Sequence, residues 1–89
     1  MSTYRHYLSW DNFERAVRRL ATIQNNCFYD ITYNLNTNLY IAEVTDHREH
    51  IYFVGSLQQI LTFIDLVREV DPLRANLFSL EYILNLNKF

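Results

Sequence analysis

The spacing of apolar side chains divides the chain into six main segments. Tyr4, His6 and Leu8 alternate with Arg5 and Tyr7, a pattern that suits a short edge strand or an extended arm. Trp10, Phe13, Val17 and Leu20 then recur at helical spacing and predict a helix from Trp10 to Gln24. Ser9 stands as its N-cap, Leu8 and Phe13 occupy the two positions of a hydrophobic staple, and Asp11/Arg15 and Glu14/Arg18 are spaced to pair along its polar side. Asn25 and Asn26 end it.

After Cys27 the period shortens to two. Tyr29, Ile31 and Tyr33 point one way and Asp30, Thr32 and Asn34 the other, as in a half-buried strand. Asn34, Asn36 and Asn38 favour a turn, because Asn tolerates left-handed backbone and bonds its own main chain. Leu39 to Val44 reads as the returning strand, Asp46 to Glu49 as a second turn, and Ile51 to Val54 as a third strand of an antiparallel meander. Gly55 breaks that strand. Ser56 with Gln59 forms a capping-box pattern at the head of a second helix, Leu57 to Val70. Asp71 followed by Pro72 has the form of an N-cap with proline at the first helical position, opening a third helix to about Asn85. The expected fold is α+β, helix, three-stranded meander, two helices (αβββαα), with the helices on one face of the sheet and residues 1–89 as one domain.

Apolar residues exceed what one such core needs. On the second helix Leu57, Ile60, Leu61, Phe63, Ile64, Leu66, Val67 and Val70 cover more than half the circumference, with Leu61 and Ile64 central. The third carries one stripe of Leu73, Leu77, Leu80 and Leu84 and an opposite group of Phe78, Tyr82 and Phe89. Left exposed, Phe78, Tyr82 and Phe89, with Phe63 of the preceding helix, make a protein interface. Should the C-terminal residues fold back, the same rings enter the core.

Composition narrows the class. Half the residues are apolar (49%), with seven Tyr, six Phe and one Trp but a single Gly and a single Pro, so the chain is ordered rather than low-complexity. A net charge of −2 gives no long-range pull toward nucleic acid or anionic membrane. The Met1–Tyr7 stretch lacks the apolar core of a secretory signal, one cysteine forms no internal disulfide, and no apolar run reaches the length that spans a bilayer, so the cytoplasm is the expected compartment.

With one glycine the chain holds no phosphate-cradling glycine loop, dinucleotide fingerprint or nucleophile elbow. Cys27 has no base or cationic neighbour in sequence and reads as a small buried hydrophobe. His47 and His50, beside Asp46 and Glu49, lie in a turn and lack the zinc-helix spacing, so no metal, cofactor or small-molecule substrate is expected.

Two resemblances rest on element order. Helix, three strands, helix is similar to a double-stranded-RNA-binding domain, whose second helix begins with a lysine cluster; this one begins Ser56-Leu57-Gln58-Gln59. That resemblance implies nucleic-acid binding, here through the basic side of the first helix at Arg15, Arg18 and Arg19. The full order also resembles some small phage anti-CRISPR proteins, which implies inhibition by occupying a protein surface. The expected function is a non-enzymatic interaction or regulatory protein that binds a protein partner or self-associates, with nucleic-acid binding as the alternative.

Overall fold

The computed structural model describes residues 3–23, 27–78, 82 and 85. Its elements are β1 (Thr3–Tyr7), α1 (Trp10–Ile23), β2 (Phe28–Asn34), β3 (Leu39–Thr45), β4 (Glu49–Gly55) and α2 (Leu57–Val70), followed by a single 3-10 turn, Ala75–Leu77. The α+β class holds, but the sheet has four strands in the order β1-β4-β3-β2. β2, β3 and β4 form the antiparallel meander, and β1 adds to it parallel to β4, with Thr3 opposite Glu49 and Tyr7 opposite Phe53. The three-stranded expectation is therefore corrected: the N-terminal alternation is an edge strand of the same sheet.

Local chemistry explains most boundaries. Between β2 and β3, Asn34 Oδ1 accepts from Asn36 N at 2.9 Å, and Asn38 takes the left-handed conformation at φ 58° that asparagine accepts more readily than most residues. Between β3 and β4, Asp46 Oδ1 accepts from Arg48 N at 2.7 Å and Glu49 N at 2.6 Å. Burial opposes the charge on this carboxylate, yet those backbone donors hold it below the usual carboxylate range. Ser56 and Gln59 close the capping box reciprocally, with Ser56 N donating to Gln59 Oε1 at 2.9 Å and Gln59 N to Ser56 Oγ at 3.4 Å. Gly55 is required just before it: a Cβ there would lie 2.7 Å from Phe53 Cε2 and against Gln59 Oε1.

The staple at the head of α1 does not form. Leu8 is 86% exposed, and Tyr7 packs on Phe13 in its place, ring centroids 6.1 Å apart. Glu14 pairs with Arg18 at 3.0 Å, whereas Asp11 and Arg15 form no ion pair.

Both helices lie on one face of the sheet. Phe13, Ala16, Val17 and Leu20 of α1 and Ile60, Phe63, Ile64 and Val67 of α2 close over Tyr29, Ile31, Ala42, Val44, Ile51 and Phe53. Phe13 joins the layers, with ring centroids 5.5 Å from Phe53 and 5.8 Å from Phe63.

The expected third helix is also corrected. Asp71 ends α2, its N–H bonding Val67 O at 2.8 Å, and Pro72 to Arg74 form a turn before the 3-10 turn. The Asp71 carboxylate does not cap a new helix, because it accepts from the buried Tyr29 hydroxyl at 2.9 Å and from Arg74 Nη1 at 3.1 Å. Tyr82 and Asn85 are again helical; Leu80, Leu84 and Phe89 lie outside the described residues, as do Gln24, Asn25 and Asn26.

Burial separates two positions that periodicity made equivalent. Ile64 is 1% exposed and Leu61 42%. Ile64→Ala is expected to destabilise by about 2–5 kcal/mol and Leu61→Ala by about 1 kcal/mol or less. Chemical denaturation of the two variants checks this; equal losses would contradict the orientation of α2.

Candidate functional site

Strand alternation sends every second side chain away from the helices. On β1 these are Tyr4 and His6, and on β4 His50, Tyr52 and Val54, with Tyr4 registered on His50 and His6 on Tyr52. The parallel pairing thus assembles four rings on the open face. His6 stacks on Tyr52 with centroids 4.5 Å apart and planes 7° from parallel, and Tyr4 lies 4.4 Å from His50 and 5.0 Å from Tyr52. Glu43 on β3 anchors the group, its Oε2 lying 2.8 Å from His50 Nε2. This contact is a hydrogen bond to a neutral imidazole and an ion pair to a protonated one.

Tyr4 remains 64% exposed, while His50 and Tyr52 are half-buried beside it. Partial desolvation, followed by the Glu43 charge and Tyr52, pushes the Tyr4 phenol up, so at neutral pH it is a protonated donor. The surface therefore offers flat apolar faces with hydroxyl and imidazole edges, a combination enriched in protein contacts.

The residues expected to form the interface are placed otherwise. Phe63 is 0% exposed and Phe78 2%, both in this chain's own core, with ring centroids 6.2 Å apart. Phe78 and Tyr82 do come together, at 5.7 Å, but the chain leaves α2 by a turn instead of a long helix, and this drops Phe78 inward. Tyr82 is half-buried, its hydroxyl donating to Ile31 O at 3.3 Å beside Asp30 Oδ1 at 3.4 Å. Phe89 lies outside the described residues. No exposed patch is made by Phe63 and Phe78.

The α1 arginines are largely compensated. Arg18 lies between Glu14 at 3.0 Å and Glu69 at 3.1 Å, and Arg19 bonds Glu49 at 3.0 Å. Arg15 is exposed. His47 sits in the β3–β4 turn, but Glu49 and His50 belong to β4, so the two histidines are not one turn cluster. Among the described residues no three His, Cys, Asp or Glu side chains stand close enough to hold a metal ion. Cys27 is buried, its Sγ donating to Leu20 O at 3.5 Å, and burial pushes the thiol up.

Reasoning from sequence did not assemble Tyr4, His6, His50 and Tyr52. The available signal was the matching alternation Tyr-x-His near the N-terminus and His-x-Tyr at Tyr52. No helix among the described residues is long and apolar enough to cross a membrane. No family model matches the chain, and neither curated proteins nor solved structures include a significant match.

The electrostatics of the cluster give a direct check. The Tyr4 phenol is expected to ionise above the ordinary tyrosine value of about 10, and Glu43→Gln should bring it part of the way back. Carbon-13 NMR titration of the Tyr4 ring measures both; ionisation at or below the ordinary value would place Tyr4 away from Glu43 and Tyr52.

Proposed function

We propose that this chain is a small non-enzymatic interaction or regulatory protein that acts by covering a protein surface with the open face of its sheet. The observation that carries the proposal is the ring cluster of Tyr4, His6, His50 and Tyr52 on the face of the sheet opposite α1 and α2. Rigid, half-exposed aromatics make effective binding anchors, since they bring large contact area with few rotamers to immobilise. The core does not need them. Their burial is available to an association with another protein or a second copy, which suits inhibition by occupancy as well as scaffolding.

Nucleic-acid binding along α1 is the alternative, and two of its three arginines are already held by carboxylates. The stacked rings alone would suit bases, but Glu43 and Asp30 lie on the same face and a phosphate backbone disfavours them.

The test is the double variant Tyr4→Ser/Tyr52→Ser, compared with wild type by thermal melting, sedimentation, and partner capture from the native host. Melting should stay within a few degrees, and one partner, or self-association, should fall by about tenfold or more. A folded variant with unchanged partners and unchanged mass would contradict the proposal. Salt-sensitive retention of wild type on heparin or single-stranded RNA would favour the alternative.

A further inference from the structure

The sheet's two edges are treated differently. On β2, the outward-facing backbone of Ile31 is occupied: its N–H donates to Asp30 Oδ1 at 2.9 Å, and its carbonyl accepts from the Tyr82 hydroxyl at 3.3 Å. Such cover prevents another strand from adding there. Among the described residues β1 has no such cover. Thr3 N donates to Arg48 O at 2.8 Å, so in the parallel ladder Thr3, Arg5 and Tyr7 turn their backbone groups toward β4. The N–H and C=O groups of Tyr4 and His6 therefore face outward, and no described residue bonds them. Thr3 through His6 are exposed, so the helical layer stops short of this edge.

Arg5 marks what the edge accepts. It projects on the helix side of the sheet, its guanidinium carbon 6.0 Å from the Tyr7 ring centroid, and no carboxylate among the described residues pairs with it. Taking the protein-binding function as given, we infer that β1 adds an extended segment of the partner protein as a fifth, antiparallel strand, with an acidic residue opposite Arg5. Tyr4 and His6 exchange both backbone bonds with the incoming strand. Arg5 then occupies the intervening non-hydrogen-bonded position, where opposed side chains approach most closely and a carboxylate is best placed. The residues flanking that acid fall on the open face beside Tyr4 and His6 and are apolar.

A second copy fits less well. Self-pairing with the twofold axis at Arg5, the register that uses all four free backbone groups, sets Arg5 against its own symmetry mate, and opposed like charges are destabilising. The same charge that selects an acidic strand discourages the edge from pairing with itself.

The probe is the peptide acetyl-Ser-Thr-Val-Glu-Val-Thr-Ser-amide, with twins carrying Lys or Gln at the centre. Amide exchange and chemical shifts of the intact protein are followed by NMR. The Glu peptide should slow exchange at the Tyr4 and His6 amides and bind about tenfold or more tightly than the Lys twin at low salt. Arg5→Glu should reverse that order, and Arg5→Gln, which keeps the exposed strand uncharged, should bring the twins together. Methylating both valine nitrogens should abolish binding. Equal affinities for the Glu and Lys peptides, binding unaffected by methylation, or no binding up to about 1 mM peptide overturns the inference. So does a dimer of the peptide-free chain in which the Tyr4 and His6 amides are already protected. If Tyr4→Ser/Tyr52→Ser still lowers partner capture after any of these results, the open-face function stands and the edge inference alone fails.

Discussion

The ladder between β1 and β4 joins the first of the described strands to the last, with Thr3 registered on Glu49 and Tyr7 on Phe53. Closing so long a loop costs conformational entropy before any contact offsets it, although the cost rises only slowly with length. What offsets it here is the backbone ladder together with the packing of Tyr7 against Phe13, to which the contacts of Tyr4 and His6 with His50 and Tyr52 add a smaller share. Remove this ladder and the meander keeps its hairpins, but the ring cluster loses two of its four members.

The remaining architecture follows from covering one face only. α1 and α2 bury the alternate residues of β2, β3 and β4, and Phe13, Phe53, Phe63 and Phe78 run as a continuous aromatic core through both layers. The opposite alternates receive no cover from a described helix. Along β1 and β4 those alternates are Tyr4, His6, His50, Tyr52 and Val54, four of them rings, rather than the charged residues that usually face water. Glu43 fixes their orientation through His50. The chain thus has a stable interior without using its most contact-ready rings, which is why the open face is read as functional.

Much of this was legible in the sequence where the signal is local. The period-two run from Tyr29, the asparagine turn and the Ser56/Gln59 box each depend on residues within a few positions of one another. The parallel addition of β1 depends on a partner strand far along the chain, and Tyr4-Arg5-His6-Tyr7 has too little apolar contrast to announce a buried face. Asp71-Pro72 carries the chemistry of a helix start, yet Tyr29 and Arg74 claim the carboxylate, a competition that only tertiary structure creates. Phe78 illustrates the same limit. Counted along a regular helix it stands opposite the leucine stripe, but the turn after Asp71 carries it against Phe63 and into the core.

The most direct measurement is a set of through-space NMR contacts across the β1–β4 ladder in the isolated protein. Strong contacts are expected from the Tyr4 ring to His50, from His6 to Tyr52 and from Tyr7 to Phe53, together with the backbone pattern of a parallel pair. A meander with intact β2, β3 and β4 contacts but no signal from Thr3–Tyr7 to β4 would contradict it, since the ring cluster and its free edge would then not exist as one surface.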